Sequence, residues 1–194
     1  MRIMRQSARR AERKRQSLDR ILDAAGRRLR REGLGGAAIV PVMRDAGLTH
    51  GAFYSHFATK DDLALAAFAH AITEGRPHWT RPTPDRKWSS RLKSLASRYL
   101  TAAHRDNPST GCAFAALGSD AAHASPEFRA AYERELRLSL AAICGDAGEG
   151  GLDDAIALMA ICVGGMSLAR AVHDKDFSAR ILRVARETAG KVTN

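Results

Sequence analysis

Apolar side chains recur every three or four residues along almost the whole chain, and no stretch alternates as a strand would. The pattern predicts an all-α protein. Leu18, Ile21, Leu22, Ala25 and Leu29 form one face of a first helix, which Ser17 is placed to cap and Gly33 to end. Ile39, Val42 and Met43 supply the core of a short second helix running to Ala46, with Pro41 in its first turn and no capping side chain before it. Leu48, Phe53 and Phe57 share one side of the next segment. Thr59-Lys60-Asp61-Asp62 opens a fourth helix in the manner of a capping box, with Leu63, Ala67, Phe68, Ala71 and Ile72 facing inward. That helix is expected to end by Gly75-Arg76-Pro77, and residues 77–84 read as the one clear linker. Beyond it, Trp88, Leu92, Leu95 and Tyr99 mark a helix that Asn107-Pro108 interrupts. Residues 111–123 form an Ala-rich helix. Ser125-Pro126 opens another, carrying Phe128, Tyr132, Leu136, Leu140 and Ile143. A flexible Gly-rich loop, residues 145–151, precedes two last helices over residues 152–171 and 178–189.

Residues 47–60 are the most informative. Gly47 permits a left-handed turn, Thr49 suits an N-cap, and His50, Gly51, Ala52, Tyr54, Ser55 and His56 are left outside by the apolar side. A helix face of small residues, hydroxyls and imidazoles suits entry into a major groove.

Charge changes the picture. Residues 1–60 hold 14 Lys+Arg against 5 Asp+Glu, a net of +9, whereas the remainder carries 17 against 16. Nearly all of the formal +10 therefore travels with the helix-turn-helix, as a phosphate-binding lobe attached to a neutral one would show. Residues 1–16 read as an Arg-rich arm, frayed in isolation and suited to wrapping phosphates or a minor groove.

The stretch from Gly47 to Lys60, with its turn Gly, its Tyr and its aromatic before a capped Lys, resembles the DNA-binding domain of the tetracycline-repressor (TetR) family. The likeness extends from Leu18 to Phe68; beyond that, only helix count and layout agree. It implies an N-terminal three-helix DNA-binding domain and a C-terminal helical ligand-binding and dimerisation domain, divided as 1–16 arm, 17–76 and 77–194. It also implies Thr49, His50, Gly51 and Ala52 at the bases, Tyr54, His56 and Lys60 at phosphates, and helix four as the transmitter of the ligand signal. Val40 carries no contact assignment. The expected partners are operator DNA, a small-molecule effector and a second copy of the chain. Two helices from each subunit are expected to pair through Ile156, Met159, Val163, Gly164 and Met166, although an intramolecular core is the alternative.

Trp88, Tyr99, Cys112, Phe114, Phe128 and Tyr132 are candidate walls of an effector pocket, each also readable as core. Cys112 is expected in the first turn of its helix, where amides and dipole favour thiolate. A Gly-Cys there is similar to the electrophile-sensing branch of the family; a small packed hydrophobe is the other reading. Cys144 and Cys162 read as packing. With no C-x-x-C spacing, the three cysteines suggest neither a disulfide scaffold nor a zinc site, and a reducing cytoplasm is the expected setting. The N-terminus lacks the apolar core of a signal peptide, and the uncharged run 155–169 reads as too short to cross a membrane. An enzyme using Cys112 with His104 or His123 finds no supporting nucleotide loop, metal cluster or nucleophile elbow, and no cofactor is expected. A non-specific architectural DNA binder is the alternative function; the turn glycine and ordered recognition helix weigh against it.

Overall fold

The computed structural model describes residues 2–81 and 87–192, and the C-terminal part of the expected linker, residues 82–84, lies outside them. The described residues form ten α-helices joined by turns and short 3-10 segments, with no strand among them. Helix α1 (Arg2–Glu32) absorbs the expected arm. Residues 2–16 contain no Gly or Pro and are rich in Arg, with Ala, Gln and Lys among the rest, so nothing separates arm from helix. Ser17 is accordingly not a cap. Its hydroxyl donates to the Lys14 carbonyl at 2.8 Å, inside a continuous helix.

Gly33 then takes a φ of +69°, and the chain turns through a 3-10 segment (Gly33–Ala37) into α2 (Ile39–Asp45). No side chain caps α2, as its sequence foretold. Gly47, at φ +66°, makes the tight turn into α3 (His50–Phe53), only four residues long. Helix α4 (Lys60–Thr80) starts on a complete capping box: Asp62 N–H donates to Thr59 Oγ1 at 3.1 Å, and Thr59 N–H donates to the Asp62 carboxylate at 3.0 Å. It does not stop at Pro77. One further turn brings the Trp79 ring to 5.0 Å from Tyr99 and 4.5 Å from His104 between centroids, and that aromatic burial offsets the hydrogen bond Pro77 cannot make.

The second lobe comprises α5 (Trp88–Tyr99), α6 (Ala102–Asp106), α7 (Ala113–Ala122), α8 (Pro126–Cys144), α9 (Leu152–Ala171) and α10 (Lys175–Ala189). Ser125 caps α8 as anticipated, through Phe128 N–H at 3.3 Å. The segment Gly145–Gly151 is a 3-10 helix rather than an open loop. Helix α10 starts three residues earlier than its apolar pattern suggested, because Asp174 accepts from Phe177 N–H at 2.5 Å and sets the N-terminus. Helix α9 is long and apolar enough to cross a membrane by length and composition, contrary to expectation, yet Ala155, Leu158, Cys162, Met166 and Ala169 bury one side of it in the core.

The two lobes share their packing. Phe68 of α4 is wholly buried against Phe114 of α7 and Phe128 and Tyr132 of α8. Leu34 N–H donates to the Asp120 carboxylate at 2.7 Å, and Arg30 Nε donates to the Ser109 carbonyl at 2.8 Å. The first ties the 3-10 segment after α1 to the last turn of α7, and the second ties the end of α1 to the segment that precedes α7.

Candidate DNA-binding surface and effector cavity

The turn at Gly47 and the buried Phe53 and Phe57 orient the recognition segment. With those rings inward, Thr49, His50, Gly51 and Tyr54 are exposed and Ala52 is half-buried. Thr49 holds the N-cap backbone position, but its hydroxyl makes no capping bond. A Cβ added to Gly51 would meet nothing within 4 Å, so the fold itself does not require glycine there. Tyr54 is 61% exposed, its ring edge-on to His50 at 5.6 Å and to Phe53 at 5.2 Å. His56 is half-buried, with Nε2 2.8 Å from Ser17 Oγ, so one of its two nitrogens is already committed to α1. Burial, and then the nearby Lys14, holds its pKa below the ordinary imidazole value. Lys60 is exposed at the first position of α4.

Behind this lobe, α4, α5, α7, α8 and α9 enclose a cavity of about 50 Å³. Tyr99, Cys112 and Phe114 line it as expected; Trp79, Arg76 and Met159 do so unexpectedly. The sequence pattern ends the helix before Trp79 and so gives no sign of its place in the cavity wall. Met159 had been placed at a dimer interface, and it faces inward. Trp88 lies outside the cavity, where its indole N–H donates to Asp154 at 2.7 Å. Phe128 and Tyr132 back the cavity through the Phe68 cluster without lining it, and Tyr132 Oη donates to the Phe114 carbonyl at 3.3 Å. Beside the cavity, between α8 and α9, runs an open groove of about 760 Å³ lined by Leu136, Leu140, Ile156 and Val163. Phe114 and Met159 belong to both walls and form the partition.

Arg76, Thr80 and Ser139 on its wall are bonded to protein partners, which leaves two polar groups to give the cavity its chemistry. The Tyr99 hydroxyl is buried against the Cys112 sulfur, a weak acceptor, and meets no oxygen or nitrogen partner among the described residues. Burial, followed by Cys112, raises its pKa well above the ordinary phenol value, so it remains a donor. Cys112 is buried as the N-cap residue of α7, one position before the first turn expected for it. Its backbone N–H donates to His104 Nε2 at 3.0 Å. A backbone amide can only donate, so Nε2 carries the lone pair and Nδ1–H donates to the Tyr99 carbonyl at 2.7 Å. This neutral imidazole positions the Cys112 backbone. Burial depresses its pKa to about 4, with the nearby Arg170 adding to the effect and the Tyr99 carbonyl opposing it.

A folded-state pKa below the unfolded value means that the unfolded chain takes up the proton more readily. The stability contribution is therefore full above the ordinary histidine pKa and is lost as pH falls from about 6.5 towards about 4. We expect roughly 2 kcal/mol to disappear over that window. Urea titrations at pH 7 and pH 4.5 measure it. His104→Gln, which has no such proton to gain, should decline less steeply, and an equally steep decline would refute the assignment.

Met166 is completely buried and cannot meet a partner subunit. Ile156 and Val163 face the α8–α9 groove. Of the residues expected at a dimer interface, Gly164 alone lines the apolar trough of about 480 Å³ between α9 and α10, with Leu168, Phe177 and Val184 exposed along it. A Cβ at Gly164 would meet nothing within 4 Å, whereas at Gly165 it would lie 2.8 Å from Ala185. Gly165 is therefore what lets α9 and α10 of one chain pack closely.

Residues 21–67 match the family model described as bacterial regulatory proteins, tetR family. The amino-terminal lobe is a TetR-family DNA-binding domain. The match covers α2, α3 and parts of α1 and α4, so it contains every residue of the exposed recognition face. Solved TetR-family structures carry the same fold over nearly the full length. The reduced form of Escherichia coli NemR is 17% identical, with a TM-score of 0.73, covering 91% of this chain and 96% of its own. A TetR regulator from Chloroflexus aurantiacus J-10-FL is 20% identical, also at 0.73, covering 93% and 95%. The multidrug binding protein EbrR, solved with proflavin, is 22% identical at a TM-score of 0.56, covering 91% and 99%. At these identities the likeness establishes the fold. No curated protein matches the sequence significantly. The fold is that of a TetR transcriptional regulator.

Proposed function

We propose that the chain is a ligand-responsive repressor that binds a palindromic operator as a homodimer in the cytoplasm and is not an enzyme. The observation that carries this reading is the exposed face of α3. It follows a left-handed glycine turn and sits in the lobe holding nearly all of the net positive charge. Thr49, His50, Gly51 and Ala52 would meet base edges, and Tyr54 and Lys60 would meet phosphates, joined by His56 Nδ1–H only when that ring is protonated, because its Nε2–H is spent on Ser17 Oγ. The open space at Gly51 suits a duplex surface, because a side chain there would stand in its path. Dimerisation would place the two recognition segments in successive major grooves about 34 Å apart. The α9–α10 trough, rather than the buried Met166 side, supplies the apolar face for it.

The effector would enter the cavity under α4. Its walls are largely apolar and its unpartnered donor is Tyr99 Oη, so the favoured ligand is uncharged, mostly apolar and equipped with one hydrogen-bond acceptor. The cavity as it stands is compact, and movement of Met159 would join it to the neighbouring groove. A thiol reagent reaching Cys112 through the same space would act on the same helix. Either event would shift α4, whose Trp79 and Arg76 line the cavity while its first turn abuts the recognition segment.

The test is a gel-shift titration with the DNA upstream of the gene, against an excess of random duplex. A specific repressor tolerates the excess; an architectural binder does not. Lys60→Gln should weaken binding to every sequence alike and reduce the salt slope by about 1. An unaltered slope removes Lys60 from the phosphate contacts.

A further inference from the structure

A further concave region lies at the junction of the lobes, away from the exposed face of α3 and outside the cavity under α4. The end of α1, the α6 helix, the end of α9 and the start of α10 frame a cleft of about 690 Å³. Five basic side chains line it: Arg30, Arg31, Arg105, Arg170 and Lys175. They face one carboxylate on the same walls, that of Asp106, which is already held by Arg105 at 2.7 Å. The nearby acids are already engaged, Glu32 in part with one of these five. Glu32 pairs with Arg28 and Arg31, and Asp174 caps α10.

Two of the cations are set apart by their environment. Arg30 and Arg170 make no carboxylate contact within 4 Å among the described residues, and both are half-buried. Arg30 donates through Nε to the Ser109 carbonyl; Arg170 donates through Nε and Nη2 to the carbonyls of Arg105 and His104, at 3.2 and 2.7 Å. Carbonyl oxygens orient a guanidinium without neutralising it. A desolvated charge without a counter-ion is unfavourable, and burial lowers the pKa of both groups. The remaining Nη donors have no protein acceptor among the described residues. Two half-buried, uncompensated forks at the wall of a polar cleft are a receptor for planar or tetrahedral oxyanions.

We propose that this cleft binds a small anion bearing two or more negative charges on oxygen, a phosphate ester or a di- or tricarboxylate. Arg31 is paired with Glu32 and Arg105 with Asp106, so a single negative charge would leave two of the three remaining cations, Arg30, Arg170 and Lys175, unbalanced. Arg30 and Arg31 belong to the DNA-binding lobe, and Arg105, Arg170 and Lys175 to the effector lobe. The anion therefore clamps the end of α1 against α6, α9 and α10. This is a second ligand site, chemically opposite to the apolar cavity, and it does not depend on the repressor reading.

The experiment uses the purified full-length protein without DNA. Inorganic pyrophosphate and citrate are titrated calorimetrically at constant ionic strength, with sodium chloride as the reference. At least one of the two should bind with a Kd below about 1 mM in 0.15 M salt and raise the melting temperature. The double variant Arg31→Gln/Lys175→Gln removes two peripheral charges without touching the carbonyl-bound arginines, and it should weaken binding at least about fivefold. Arg134→Gln/Arg137→Gln, which removes two charges from exposed positions on α8, should leave affinity unchanged. A preference for pyrophosphate or for citrate identifies the phosphate or the carboxylate source. Response no greater than chloride, or undiminished affinity in the first double variant, overturns the proposal.

Discussion

Phe68→Ala is expected to lower the folding free energy by about 3–5 kcal/mol. Phe68 has no exposed surface, and its ring is packed from three directions. Tyr132 stacks on it at 5.5 Å with an interplanar angle of 7°, Phe128 lies at 5.3 Å and Phe114 at 5.9 Å. Truncation removes the transfer free energy of a whole ring and leaves a void lined by three other rings. Those rings sit on α7 and α8, which are themselves anchored elsewhere, so collapse around the void is limited. Urea unfolding should show the midpoint falling with little change in slope, because the surface exposed on unfolding is nearly the same. Phe68→Leu, which keeps most of the volume, should cost distinctly less. A loss below about 1 kcal/mol for the alanine variant would show that the cluster does not join α4 to the second lobe as described.

Glu135→Leu is expected to cost about 3 kcal/mol, whereas Arg76→Met/Glu135→Leu together should recover most of that loss. Glu135 is buried, and Arg76 Nη2 meets its carboxylate at 2.6 Å while Arg76 Nε reaches Ser139 Oγ at 3.2 Å. Arg134 is a more distant second cation at 3.5 Å, largely in solvent. Removing the carboxylate alone strands a largely buried guanidinium at the edge of the cavity, and the desolvation already incurred goes uncompensated. Removing both charges replaces the pair by apolar packing, which buried sites often accept. A double-mutant cycle read by denaturant unfolding measures the coupling. Additive losses in the two single variants and the double would show that the pair contributes no mutual stabilisation. The same variants test the role of α4, since Arg76 links the helix leading from the DNA lobe to α8.

Local chemistry made a good part of the molecule legible. The left-handed turn at Gly47, the capping box of Thr59 and Asp62, and the Ser125-Pro126 start of α8 depend on residues at most three positions apart. The split of charge between the lobes likewise needs only the order of residues. The exposed side of α3 followed from the inward pattern of Phe53 and Phe57. The cavity under α4 was legible only in part. Tyr99, Cys112 and Phe114 were found as aromatic or reactive residues on apolar stripes. Trp88 satisfied the same criterion and lies elsewhere, because periodicity gives a face and not the neighbour it meets.

Taken alone, the order of residues determined an all-helical chain, a basic amino-terminal lobe and a short helix after Gly47 with its polar side outward. Tertiary structure decided that α4 runs through Pro77, since the gain lies in Trp79 meeting Tyr99 and His104 from α5 and α6. It also decided that Met166 is core, that Arg76 pairs with Glu135, and that five cations from four helices converge on one cleft. Caps and turns are short-range interactions written in neighbouring residues. Burial, pairing and convergence are set by side chains distant in sequence, whose meeting depends on how whole helices pack.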